Sequence, residues 1–248
     1  MRQVKKSENA IFTSCGDRSN CYELWFDSYS NFDSICVYYG NNEEIFKNYH
    51  RKFDKALRRK GSKFQNFFYF FRNSSLFNSY DRIFILDDDI IIDSKGINNM
   101  FLFSEKYDLD ICQPSFNSSS VISHEVTKQQ KSSKGRYTNF VEVNTPLMTQ
   151  KALKNLDSVY SDSLIGWGID FLFTWINNDK QIPQFLCRKF AINDEISCIN
   201  PNSRSLQSEG RELLKIPRCN ERQYDWENYA FSISCPKAWN PLTLEKII

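Results

Sequence analysis

Apolar residues fall into short runs that alternate with longer amphipathic stretches. Asn9 to Cys15 reads as a strand ending in the polar turn Thr13-Ser14-Cys15-Gly16-Asp17, and Ile35-Cys36-Val37-Tyr38-Tyr39 as a buried strand closed by Gly40-Asn41-Asn42. From Glu43 to Arg59, Ile45, Phe46, Tyr49, Phe53, Ala56 and Leu57 recur at helical spacing, which predicts one amphipathic helix broken by Gly61. Lys63 to Arg72 predicts a second, very aromatic helix, leading into the strand Arg82-Ile83-Phe84-Ile85-Leu86. Helices follow over Ile97 to Lys106, Thr149 to Leu156 and Ile169 to Asn177, and strands over Leu109 to Gln113, Thr138 to Val143 and Phe190 to Ile196. Residues 117–136, rich in Ser, Lys and Gln, read as a long loop. Residues 201–248 lack periodicity and read as a tail packed on the domain. Strands alternating with helices predict an α/β fold with a mainly parallel central sheet covered on both faces. With no repeat and no linker, the expectation is a single domain over residues 1–248.

Composition narrows the function classes. The chain has 248 residues, 41% of them hydrophobic, with 21 Phe against 8 Gly, which suits an aromatic core and excludes glycine-rich disorder. A net charge of +2 excludes a strong nucleic-acid footprint. No run reaches the roughly 20 apolar residues of a membrane helix, and Ala10-Ile11-Phe12 is too short for a signal-peptide core. A cytoplasmic protein, at most peripheral to a membrane, is therefore expected. The eight cysteines (15, 21, 36, 112, 187, 198, 219 and 235) form no C-x-x-C pair and read as buried thiols; the last four could pair in an oxidising lumen.

The sharpest chemical signal is Asp87-Asp88-Asp89, flanked by apolar runs on both sides. In an extended chain Asp87 and Asp89 share a face and Asp88 points away. Two carboxylates about 4 Å apart repel by about 4 kcal/mol at an effective dielectric near 20. A hard cation with oxygen ligands offsets that repulsion and leaves positions open for phosphate oxygens. An ordinary acidic turn would contain Gly, Asn or Pro and have polar flanks.

Gly166-Trp167-Gly168-Ile169-Asp170 opens an apolar helix. The indole offers a flat face for a sugar ring, and Asp170 in the first turn is the natural general base for an acceptor hydroxyl. A plain helix start with a core Trp and a capping Asp accounts for the same spacing. Gly61-Ser62-Lys63 could bring Lys63 to a phosphate at a helix start, although a solvated Lys is the default and the Walker spacing is absent. His50 reads as a surface residue, and His124-Glu125 has no identifiable partner; no G-x-S-x-G motif is present.

In order and spacing, Asp81 to Asp89, Asp110-Ile111-Cys112-Gln113-Pro114, Val141-Glu142-Val143 with Pro146, and Gly166 to Asp170 resemble one family. It is a domain-of-unknown-function family of plant, bacterial and viral glycosyltransferase-like proteins, and the similarity spans roughly residues 9–200. The resemblance implies a GT-A-like αβα sandwich whose Asp-x-Asp motif binds Mn²⁺ or Mg²⁺ with the diphosphate of a UDP- or GDP-sugar. It implies Asp87 and Asp89 as metal ligands, with Asp89 the main one. Thr13, Asp17, Lys63, Asp87 and Asp88 would lie on the nucleotide-sugar side. Gln113, Glu142 and Trp167 would lie on the acceptor side, facing a glycan or glycolipid, with Asp170 as base. Such enzymes often add a late His ligand; here Ile199-Asn200 stands at that place, so Asn200, Asp194 or Glu195 would have to substitute. Two alternatives are a non-catalytic nucleotide- or glycan-binding module and a haloacid-dehalogenase-like phosphatase. The latter's motif belongs on the first strand, whereas the triplet follows the third predicted one.

Overall fold

The computed structural model describes residues 7–19, 22–176, 188–201, 216–238 and 240–248. The first strand, β1 (Asn9–Cys15), leads through the short helix α1 (Tyr22–Trp25) to β2 (Asp33–Tyr38) and α2 (Glu43–Lys52). The predicted long helix from Glu43 to Arg59 is divided: α2 ends at Lys52 and residues Lys55–Arg58 form an edge strand, β3. Its position is held by Asp54, whose carboxylate accepts the Ser34 backbone N–H at 2.8 Å and the Ser34 hydroxyl at 2.7 Å. Those bonds tie the turn to β2, and β3 then pairs parallel with β2.

Next come α3 (Lys63–Asn73), β4 (Arg82–Asp87), α4 (Ser94–Lys106) and β5 (Ile111–Phe116). Pro114 lies inside β5 rather than ending it, and the pairing register shifts between Pro114 and Ser115, where the missing N–H is tolerated. The strands β6 (Gly135–Thr138) and β7 (Leu147–Thr149) replace the single strand expected over Thr138 to Val143. The helices α5 (Gln150–Asp157) and α6 (Ile169–Ile176) precede β8 (Phe190–Cys198). The segment read as a tail carries α7 (Arg222–Ser232) and β9 (Thr243–Ile247).

Among the described residues these strands form one sheet, in the order β3-β2-β1-β4-β7-β5-β8-β6-β9. β3, β2, β1 and β4 run parallel, as do β5 and β8. β7 is antiparallel to β4 and β5, and β6 to β8 and β9. The α/β architecture is as expected, with a mixed sheet. The parallel character is confined to the first four strands and to the β5–β8 pair.

Alternation along the strands divides the core between the two faces. Ala10, Phe12, Ile83 and Ile85 face α3, α5, α6 and α7, where Phe64, Phe67, Leu153, Leu172 and Trp226 are buried. Ile11, Phe84 and Leu86 face the other way, against Trp25, Met100 and Phe101. A sheet sandwiched between helix layers results. β2 and β3 lie on one side of β1 and β4 on the other, so the topological switch falls between β1 and β4. The crevice at the carboxyl ends of strands beside such a switch is where open α/β sheets hold ligands.

Residues 117–136, expected to be a long loop, end in β6, and the stretch before that strand is clamped. The fully buried Arg136 guanidinium donates to both Asp194 carboxylate oxygens (2.8 and 3.0 Å) and to the Val126 and Lys128 carbonyls (both 2.8 Å). Asp194 also accepts the Gln130 N–H at 2.9 Å and the Ser133 hydroxyl at 2.8 Å. Every charge is partnered, the condition under which a buried ion pair is tolerated. Of the cysteines, Cys36, Cys112, Cys198, Cys219 and Cys235 are buried free thiols; Cys21 and Cys187 lie outside the described residues.

Candidate active site

The triplet sits at the switch crevice. Asp87 is the last residue of β4, and a turn closed by the Ile90 N–H on the Asp87 carbonyl (3.3 Å) carries Asp88 and Asp89. The three carboxylates are used differently. Asp88 accepts the Gly16 N–H at 3.2 Å and the Ser19 hydroxyl, which ties the triplet to the loop after β1. Burial raises its pKa, opposed by those two hydrogen bonds. Asp88 is thus a structural fastener between the β1 and β4 ends. Asp89 is half-buried.

Asp87 forms an ion pair of 2.6 Å with Lys63 at the start of α3. The same ammonium donates to the Val143 carbonyl at 2.8 Å and the Asn144 carbonyl at 3.2 Å. An ammonium has three donors, and these three acceptors account for them. Neither a solvated Lys63 nor one turned toward a phosphate matches this arrangement. Its charge instead neutralises Asp87 and anchors residues 143–144 to the end of β4. Thr13 is fully buried within β1, and Asp17, exposed, accepts the Tyr38 hydroxyl.

Two further carboxyls, Glu142 and Asp170, are buried. Glu142 is 3% exposed; its N–H donates to the Gln113 side-chain oxygen at 2.5 Å, and its Oε1 accepts from the Asn144 amide at 2.9 Å. Gln113 is itself fully buried, so its amide holds the Glu142 backbone rather than meeting a substrate. Burial pushes the Glu142 carboxyl up to about 8, reinforced by the charges of Asp170 and Asp87. Asp170, in the first turn of α6 and 8% exposed, is pushed by burial to about 7, with the Phe171 N–H holding it at 3.1 Å. Asn144 links the two halves: its carbonyl accepts the Asp87 N–H at 2.9 Å while its amide holds Glu142. Nothing in the spacing of the sequence pointed to Asn144 or to the Lys63–Asp87 pair.

Gly166 and Gly168 have φ of +83° and +81°, a region that favours glycine. A Cβ on Gly168 would lie 2.1 Å from Trp226, so this glycine lets α7 close against α6 rather than admitting a ligand. Trp167 between them is 44% exposed, with the Arg222 guanidinium 5.8 Å from its ring centroid. The His124 ring packs at a tilt against Phe140, with ring centroids 4.5 Å apart, and burial lowers its pKa.

No group of three or more His, Cys, Asp or Glu side chains is gathered as a metal cluster among the described residues. Asp194 is committed to Arg136, and Glu195 is exposed, which removes Asp194 as a substitute for the late ligand. Ile199 pairs antiparallel with Ile91, both N–H···O bonds being 3.0 Å, which sets Asn200 beside the turn that carries Asp89. A hard cation there would have one or two protein groups and would draw its remaining ligands from substrate phosphates, the usual mode for Mg²⁺ at phosphate sites. No described helix is long and apolar enough to cross a membrane.

No protein-family model matches the chain, and no curated protein matches it by sequence. The family resemblance thus rests on motif order alone. Solved structures do match. S. aureus TarS superposes with a TM-score of 0.58 at 9% identity, covering 94% of this chain and 40% of that one. S. aureus TarS 1-349 in complex with UDP-GlcNAc gives 0.59 at 10% identity, covering 94% and 68%. Its complex with UDP gives 0.51 at 10%, covering 91% and 70%. The chain therefore spans less than half of the first of these TarS chains. The likeness shows the fold, an α/β fold with a mixed sheet matching the GT-A glycosyltransferase TarS.

Proposed function

We propose that the protein is a metal-dependent glycosyltransferase that moves a sugar from a UDP- or GDP-sugar to a hydroxyl group of a glycan or glycolipid. The observation that carries this reading is the buried Asp170 in the first turn of α6, a carboxyl that burial lifts to about 7. A carboxyl in that range near neutrality is matched to taking a proton from an alcohol. The fold shared with a protein solved with UDP-GlcNAc supports the donor class.

In this reading Asp170 accepts the acceptor's hydroxyl proton as the oxygen forms its bond to the sugar anomeric carbon. The bond from that carbon to the diphosphate oxygen breaks, and its electron pair leaves with the nucleoside diphosphate. Mn²⁺ or Mg²⁺ held by Asp89, with the Asn200 amide oxygen and Asp87 as further donors, would neutralise charge on the diphosphate. Asp88 keeps the β1 loop against the triplet, and the loop from Thr13 to Asp17 borders the nucleotide. Trp167 offers its ring to the acceptor.

The test is nucleotide release from a panel of UDP- and GDP-sugars with Mn²⁺ or Mg²⁺. Release by wild type and its loss in Asp89→Ala support the reading. No release, together with no thermal shift by any nucleoside diphosphate plus metal, overturns it. Binding without turnover across a broad acceptor panel would mark a non-catalytic module instead.

A further inference from the structure

Lys63 places a fixed positive charge beside the acidic triplet. Its Nζ lies 2.6 Å from Asp87 Oδ1 and donates to the Val143 and Asn144 carbonyls at 2.8 and 3.2 Å. The ammonium is the more buried partner, the Lys63 side chain being 11% exposed and that of Asp87 38%. With all three donors engaged, it cannot swing aside without leaving two carbonyls and a carboxylate unpaired. Both ends of the pair are anchored in the fold. Lys63 is the first residue of α3, where the Ser62 N–H donates to the Gln65 side chain at 2.9 Å in a capping box. Asp87 closes β4, and its N–H donates to the Asn144 carbonyl at 2.9 Å.

We infer that Lys63 makes metal binding at the triplet conditional on the nucleotide: it weakens the hold of Asp87 and Asp89 on a free divalent ion, so that metal and diphosphate bind together. This rests on the metal-dependent glycosyl-transfer reading above. Asp87 and Asp89 are the carboxylates which that reading gives to the metal, while Asp88 is committed to the loop after β1. Lys63 already balances the charge of Asp87, and the same ammonium repels a second cation. One neighbouring charge moves the proton affinity of a carboxyl by about ten- to thousand-fold, and a divalent ion feels that field with twice the charge. A diphosphate restores the negative charge that Lys63 cancels and supplies the oxygens that Mg²⁺ ordinarily takes from phosphates. Linkage requires the reverse as well, so the metal must strengthen nucleotide binding by the same factor.

The experiment titrates Mn²⁺ alone, and UDP with and without Mn²⁺, into the full chain by calorimetry. Wild type should bind free Mn²⁺ weakly, and UDP should tighten that binding by about ten- to hundred-fold. Lys63→Met should bind Mn²⁺ alone about ten-fold more tightly than wild type. Combining Lys63→Met with Asp87→Asn should abolish this gain, because the carboxylate that Lys63 neutralises is gone. Lys63→Gln, which keeps a donor for the carbonyls without the charge, serves if the methionine variant does not fold. A gain in affinity is not imitated by loss of folded protein. Mn²⁺ bound by wild type as tightly without UDP as with it, an unchanged or weaker affinity in the Lys63 variant, or a gain that survives Asp87→Asn overturns the inference while leaving metal-dependent transfer standing. A wild type and variants that bind no Mn²⁺ even with UDP overturn both.

Discussion

At Asp170 a carboxyl that would ordinarily titrate near 3.8 is lifted to about 7 because α6 buries it beside apolar neighbours. A base must be charged to take a proton, so transfer should rise as pH climbs through about 7. Asp170→Asn keeps the shape and removes the basicity. Its turnover is expected to drop by about 10²- to 10⁴-fold with nucleotide affinity retained, as measured by steady-state kinetics beside calorimetry. Loss of less than ten-fold would remove Asp170 from the role of base. At this scale the sequence was readable only in part. Asp170 and Asp89 stood out by type and setting. The tasks of Asp87, Lys63 and Gln113 did not, because each is decided by a partner far away in the chain.

Among the elements, the segment clamped by Arg136 and Asp194 is where chain pattern and structure part most. Ser, Lys and Gln are polar, so residues 117–134 carry no apolar periodicity, yet their carbonyls and N–H groups close around one buried ion pair. Arg136→Ala leaves Asp194 buried and charged, and should cost about 3–5 kcal/mol in urea unfolding. Replacing both residues with apolar ones of similar volume should recover most of that. A cost below 1 kcal/mol for the single change would mean that the clamp is not what orders the segment. The two glycines before α6 offer a second comparison. Both have positive φ, but only Gly168 has Trp226 against it. Gly168→Ala should therefore lower the melting temperature more than Gly166→Ala, and an equal effect would show that backbone strain alone sets both. β7, of three residues, was invisible beforehand because so short a run has no period to detect, and β3, of four, was read as helix because Ala56 and Leu57 continue the spacing of α2.

For the molecule as a whole, burying Glu142 and Asp170 makes stability depend on pH in a defined direction. Each binds its proton more tightly in the folded chain than in the unfolded one. Their contribution is therefore fully present below the ordinary carboxylate range and is lost as pH rises, from 4.5 to about 8 for Glu142 and from 3.8 to about 7 for Asp170. Glu142→Gln cannot ionise, so its stability relative to wild type should increase steadily between pH 5 and pH 8, a range that follows from those values. Parallel melting curves for the two proteins across that range would exclude a raised Glu142 pKa. In the glycosyl-transfer reading, the same burial would tune Asp170 for proton transfer at the expense of stability.

What the sequence determined by itself was the layered α/β plan, most strand and helix cores of the first hundred residues, and the acidic triplet at a strand end. These follow from local periodicity and from residue type, which act over a few positions. Only the tertiary structure decided how the three aspartates divide. Asp88 fastens the β1 loop, Asp87 is neutralised by Lys63, and Asp89 is left half-buried at the turn beside Asn200. It also decided the mixed sheet and the burial of Glu142 and Asp170. Those outcomes depend on strand order, and on which groups burial brings within electrostatic reach across more than twenty positions of chain, and neither leaves a local pattern to read.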